Sequence, residues 1–314
     1  MNKRQAIARH FIHGLRLIPL ALYLLMGGCA GGSSQGERES PTNGTIHISV
    51  DESFRPVIDS QIQVFESLNP HARIIVHYKS EADCLRDLQS DSIRMVIVTR
   101  GLTEGEQQVL KDSLRFAPTY GIMAWDALAV VVNVNAPDSL FTRAEIASMA
   151  KGISGYPYKL ILDGKNATSA VRFLTDSLLE GKAPGNKVEG ATGSAAVLDY
   201  IATHTDALGL VGVSWIGNQD DPDQQSFLEK VRIAALECRG CENGPYVKPY
   251  QANIYTGRYP LLRPLYYILK ENYDGLGSGF RNFLTLEKGQ RIFKRAYLLP
   301  ARMSFEVQNM DIKQ

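Results

Sequence analysis

Several short segments of this 314-residue chain have residue types that could do chemistry. Gly212-Val213-Ser214-Trp215-Ile216 has the outline of a hydrolase elbow, which sets a serine on a sharp strand-to-helix turn, but Ile216 stands where that turn needs glycine. Gly190-Ala191-Thr192-Gly193-Ser194 lacks the lysine and the full spacing of a loop that cradles nucleotide phosphates. Gly275-Leu276-Gly277-Ser278-Gly279 lies outside any dinucleotide-binding βαβ unit and reads as the lead-in to a helix. Cys238-Arg239-Gly240-Cys241 is a lone CxxC without paired histidines, so a local disulfide in an exposed loop fits it better than a zinc or redox site. The six histidines, at 10, 13, 47, 71, 77 and 204, show no HxxxH spacing. With no nucleophile–base set, metal cluster or cofactor motif, the expectation is a protein that is not an enzyme and carries no cofactor.

The elements around these segments alternate in type. Ile46 to Val50 alternates as a strand, and Phe54, Val57, Ile58, Ile62, Phe65 and Leu68 recur at helical spacing until Asn69-Pro70 stops the helix. Strands are expected at 73–78, 93–98, 116–120, 126–133, 158–162, 208–213 and 265–269. Helices are expected at 81–88, where Cys84 reads as buried, and at 103–110, 141–150, 168–179, 195–203, 280–286 and 289–296. The segments 217–225 and 238–246 read as polar loops. Strands alternating with helices through short connections imply an α/β fold with parallel sheets and helices on both faces.

Composition sets the limits. Against 34 Lys+Arg stand 33 Asp+Glu, for a net charge of +1, which excludes a whole-chain electrostatic claim on nucleic acid. With 44% hydrophobic residues there is ample material for a core, and four cysteines are too few for a disulfide-stapled miniprotein. The N-terminus carries Lys3, Arg4 and Arg9, then an apolar run from Leu17 to Met26, too short for a comfortable span and suited to a secretory signal. Leu25-Met26-Gly27-Gly28-Cys29 resembles a bacterial lipobox, with Met26 in place of the usual small aliphatic residue. The expectation is a signal peptide over 1–28, lipid on Cys29 and a flexible Gly/Ser-rich tether to residue 44. The folded body then begins near Thr45, in the cell envelope, facing the periplasm or the exterior.

The C-terminal third contains Tyr259-Pro260-Leu261-Leu262-Arg263-Pro264-Leu265-Tyr266-Tyr267-Ile268, then Gly279-Phe280-Arg281-Asn282-Phe283-Leu284 and Glu287-Lys288-Gly289-Gln290. These segments resemble the end of the phosphate-binding proteins of bacterial phosphate ABC importers. The stretch from Ala191 to Val213 is similar to a helix and strand of the same family, and Asp126 to Phe141 to its crossing into the second lobe. Together the resemblance covers most of 45–303. It implies a two-lobed clamshell of the type II periplasmic-binding-protein class with two crossing hinge strands, lobe one being 45–127 plus 255–314 and lobe two 128–254. It further implies capture of phosphate or a similar oxyanion, delivery to an ABC permease, and a monomer held to the membrane by lipid.

Under that resemblance the ligand contacts fall at strand-to-helix junctions, where unpaired N–H groups and hydroxyls can hold an anion. They are Asp51, Glu52, Ser53 and Phe54, then Ser80, then Thr99 and Arg100, and Thr168 with Ser169. Plain helix capping explains the same residue types at each junction. The chain also departs from the family pattern. Asp51 and Glu52 sit beside a loop that is usually Gly/Ser-rich, and Ala170 ends the family's SGT turn. Gly164 replaces an arginine, with Lys165 one step later, and Thr99 aligns with the proton-accepting aspartate. Arg100 or Lys165 is then the expected compensating cation. A receptor of the same fold for another ligand, cationic in view of Asp51 and Glu52, or an interaction protein with none, is the alternative.

Overall fold

In the computed structural model of this chain, residues 39–302 are described, except Ser154, Asn166 and Gln219. The signal segment, Cys29 and most of the tether lie outside the described residues. The strands are β1 (Asn43–Asp51), β2 (His71–Lys79), β3 (Ile93–Val98), β4 (Thr119–Asn133), β5 (Leu140–Phe141), β6 (Lys159–Leu162), β7 (Val188–Gly190), β8 (Ala207–Gly212), β9 (Val231–Ile233), β10 (Ala235–Glu237), β11 (Tyr246–Val247), β12 (Leu262–Leu269) and β13 (Leu299–Pro300). The helices are α1 (Arg55–Leu68), α2 (Glu81–Arg86), α3 (Glu104–Leu114), α4 (Arg143–Ala150), α5 (Ser169–Leu178), α6 (Ser194–Thr203), α7 (Pro222–Leu228), α8 (Gln251–Tyr255), α9 (Leu276–Thr285) and α10 (Glu287–Arg295).

The main sheet has the order β2-β1-β3-β12-β4-β8-β6-β7, with β13 and β9 also pairing with β4. Its outer parts are parallel, as the alternation of elements predicts: β1 runs with β2 and β3, and β6 with β7 and β8. The centre differs, because β12 is antiparallel to both β3 and β4, and β4 is antiparallel to β8. A strand returning from the far end of the chain arrives without a crossover helix, so nothing forces it to be parallel.

Strand β4 joins the two halves. Its first part pairs with β12 and its last residues, Leu128–Val132, pair with β8. Period-two alternation divides that last part between two cores. Leu128, Val130 and Val132 pack with Phe141, Ile146 and Leu174, while Ala129 and Val131 pack with Val197, Ile201 and Trp215. Met123 and Ala124, earlier on the same strand, belong to a third core with Ile48, Phe54, Phe280 and Phe293. The expected strands at 116–120 and 126–133 are therefore one strand. Likewise, α7 occupies part of the segment read as a polar loop, opened by Pro222 and capped by Asp221, whose side chain accepts from the Asp223 and Gln224 N–H groups. Capping boxes at Thr103–Glu106 and Thr142–Glu145 start α3 and α4. Cys84 is buried and free, and Cys238 and Cys241 are disulfide-bonded.

Candidate functional site

The site assembles where strands of both halves end. The register of β12 on β4 sets Arg263 directly opposite Asp126. Both are buried, and Arg263 Nε donates to Asp126 Oδ2 at 2.8 Å. The rest of the guanidinium reaches in two directions: Nη1 donates to Ser169 Oγ at 2.7 Å and Nη2 to Ser53 Oγ at 3.2 Å. Phe54 lies beneath it, with the guanidinium carbon 4.9 Å from the ring centroid. Of the residues singled out in the sequence, Ser53, Phe54 and Ser169 are thus brought together, and their hydroxyl oxygens lie 3.4 Å apart.

Asp51 ends β1, and its Oδ1 accepts from Ser53 N at 3.0 Å and Ser53 Oγ at 2.9 Å. Its Oδ2 is buried without a hydrogen-bond partner. Burial raises its pKa, Arg263 pulls it down, and Glu81 and Asp163 push it up again, leaving it at about 6. Asp163 follows β6 and is also pushed up to about 6 by burial, against the pull of Thr168 and Arg263, and its Oδ1 likewise has no partner. Glu52 points across to α6, where its Oε2 accepts from Ser194 N and Ser194 Oγ, each at 3.1 Å. Gly193, with φ +98°, permits that approach: a Cβ there would stand 3.1 Å from Glu52 Oε1. Burial raises the Glu52 carboxyl above its usual range despite these donors.

A second cation stands on the first turn of α5. Arg172 Nε meets Glu81 Oε2 at 2.5 Å, and its Nη2 donates to Thr99 Oγ1 at 2.8 Å. Glu81 Oε1 also accepts from Thr99 N at 2.9 Å and Thr99 Oγ1 at 2.6 Å. Burial would raise the Glu81 pKa, but Arg172 and Thr99 outweigh it and hold the carboxyl below its usual range. Nearby, Ala82 N donates to Ala167 O at 3.0 Å, and Thr168 caps α5 by accepting from Val171 N at 3.3 Å.

Ser80 and Arg100 are placed differently. Ser80 caps α2 and donates to Asp83 Oδ2 at 2.6 Å. Arg100 forms a two-point pair with Glu106, Nη1 to Oε2 at 2.8 Å and Nη2 to Oε1 at 2.7 Å, and this engages its guanidinium at the start of α3. The cations of the cluster are Arg263 and Arg172 instead. Sequence reasoning missed both in this role, together with Glu81, Asp126, Asp163 and Ser194. Arg263, Asp126 and Ser194 stood inside segments quoted for the resemblance, which was the available signal. Arg172 had none, being one charged residue in a helical pattern. Chemically the arrangement offers guanidinium, hydroxyl and helix-start donors beside several buried carboxylates. Among the described residues no group of three or more His, Cys, Asp or Glu could hold a metal ion.

The family model described as a PBP superfamily domain matches residues 35–288. The chain belongs to the PBP superfamily. No curated protein matches its sequence. Among solved structures, a Clostridium perfringens protein described as a phosphate ABC transporter substrate-binding protein, with bound phosphate, aligns at 18% identity. The alignment covers 82% of this chain and 100% of that one, with a TM-score of 0.67. An ABC-type phosphate transport receptor from Vibrio cholerae aligns at 17% identity over 81% of this chain and 99% of its own, with a TM-score of 0.60. At that identity the likeness establishes the fold, the two-lobed α/β architecture of the PBP superfamily. Arg263, carried by β12 beside β4 at the centre of the sheet, sits where that architecture brings its two halves together.

Proposed function

We propose that this PBP is an extracytoplasmic solute-binding protein that captures phosphate or a similar oxyanion between its lobes and delivers it to an ABC permease. It acts as a monomer, without a cofactor, anchored by lipid on Cys29. Lobe one spans 45–127 plus 255–314 and lobe two spans 128–254. The observation that carries this reading is the buried Arg263 guanidinium, which links Ser53 from the first segment to Ser169 from the second. A charged fork held in a low-dielectric setting is a strong oxyanion donor. Arg172 and the start of α5 add donors around it, and Arg263 and Arg172 take the part that the sequence reading gave to Arg100 or Lys165.

Calorimetry of the ligand-stripped protein against phosphate, sulfate, molybdate and a polyamine tests the reading. Phosphate binding is expected, weakened about tenfold or more by Ser169→Ala, since a hydrogen bond to a charged group is worth about 1.5–3 kcal/mol. Heat with the polyamine alone would sink it. That second reading, a receptor of the same fold for a cation, is favoured by Asp51, Glu52, Glu81 and Asp163 around only two guanidiniums. Mass spectrometry of the mature N-terminus tests the anchor, and an unmodified Cys29 contradicts it.

A further inference from the structure

Two carboxylates of lobe one bond to donors of lobe two without involving Arg263, Ser53 or Ser169. Glu52, in the short turn between β1 and α1, accepts from the N–H and the hydroxyl of Ser194, which opens α6. Glu81, at the start of α2, meets Arg172 of α5. Two more bonds cross beside them: Ala82 N donates to Ala167 O at 3.0 Å, and Trp215 Nε1 donates to Ser53 O at 2.9 Å. Each of these must break before the lobes can part.

The bond of Glu52 answers a need of the helix it reaches. A helix start leaves N–H groups without acceptors, and a side chain at the N-cap position commonly supplies one. In α6 that position is Gly193, so the helix has no side-chain cap of its own. Lobe one provides the missing acceptor, and as a carboxylate it is favoured by the positive end of the helix. Gly193 also leaves the room, since a Cβ there would press on the Glu52 carboxylate. Ser194 is buried, and burial opposes the charge on Glu52, so the carboxylate is held there by its partners and not by solvent.

We propose that Glu52 caps α6 from the opposite lobe, and that this cap holds the cleft closed and slows the release of solute. Glu52 is then a positioning residue, not a ligand contact. The inference rests on the lobe boundaries given with the proposed function, and adds to that reading a means of closure carried by the chain itself. When the lobes separate, the start of α6 exchanges its carboxylate for water, so opening has a cost set outside the oxyanion site. Closure brings Ser53 and Ser169 together on Arg263, and affinity scales with the fraction of molecules in that state. Glu81 with Arg172 acts alongside as a second point of attachment.

The test compares Glu52→Ala, Glu52→Gln and Ser194→Ala with the wild-type protein, by small-angle scattering and by stopped-flow titration with inorganic phosphate. Before phosphate is added, Glu52→Ala should have a larger radius of gyration than the wild type, and saturating phosphate should bring both to the same value. Its phosphate affinity should fall about tenfold, through faster dissociation at a nearly unchanged association rate. Glu52→Gln keeps an oxygen that can accept from Ser194, and should lie between the two. Ser194→Ala should act in the same direction, and should add little when combined with Glu52→Ala. It decides alone if the Glu52 variants fail to fold, because it removes only a hydroxyl. Equal radii before phosphate would overturn the cap. So would tighter phosphate binding by Glu52→Ala, which would mean that the carboxylate occupies the anion's place. If phosphate binds to none of the proteins the oxyanion reading fails, and the comparison of radii still decides the cap.

Discussion

At Asp163 burial works against ionisation, and the carboxyl titrates at about 6 in place of 3.8. A carboxyl raised in this way stabilises the fold while protonated. Its contribution is complete below about pH 4 and is lost as pH rises through about 6. Asp163→Asn is therefore expected to raise stability near neutrality by up to about 3 kcal/mol, a gain that vanishes below about pH 4 in urea melts. Arg263 behaves oppositely. Removing it with Arg263→Ala strands the buried Asp126 charge and should cost about 3–5 kcal/mol, whereas Arg291→Ala, at the exposed Glu287 pair, should cost less than about 0.5. Equal losses in the two variants would contradict this ranking. Ser53 and Ser169 could be found in the sequence because both lie at helix starts that the apolar spacing already marks. The partnership of Arg263 with Asp126 could not, since it spans 137 positions and exists only through the β12–β4 register.

Most helices and long strands follow their sequence signals, α7 and α8 excepted, and the failures have local causes. The sequence divides β4 in two because Gly121 and the residues after it lack a clear alternation, while its continuity is imposed by pairing with β12. Short strands such as β5, β9 and β11 are two or three residues long and owe their form to partners, not to propensity. The close packing of α6 on β8 offers a test at this scale. A Cβ on Gly209 would lie 2.7 Å from Val197 Cγ1, 2.8 Å from Val131 Cγ2 and 2.9 Å from Ile201 Cγ1. Gly209→Ala should therefore lower stability by about 1–3 kcal/mol in thermal melts, and an unchanged melting temperature would show that the helix can withdraw freely.

For the whole molecule, the alternation of strands and helices was enough for an α/β fold, and the C-terminal motifs pointed to two lobes. The antiparallel centre was not visible, because it depends on β12 returning between β3 and β4. If β4 and β12 serve as hinges, ligand entry reorients the lobes, and small-angle scattering should show a smaller radius of gyration with saturating phosphate. The central claim is that an oxyanion sits between Arg263 and the serines of both segments. Its most direct test is a crystal structure grown with arsenate, whose anomalous signal locates the anion. The account predicts one arsenic peak per chain, with oxygens in hydrogen-bond reach of Arg263, Ser53 and Ser169, and Asp51 and Asp163 on its flanks. A peak elsewhere, or none at saturating arsenate, would contradict it.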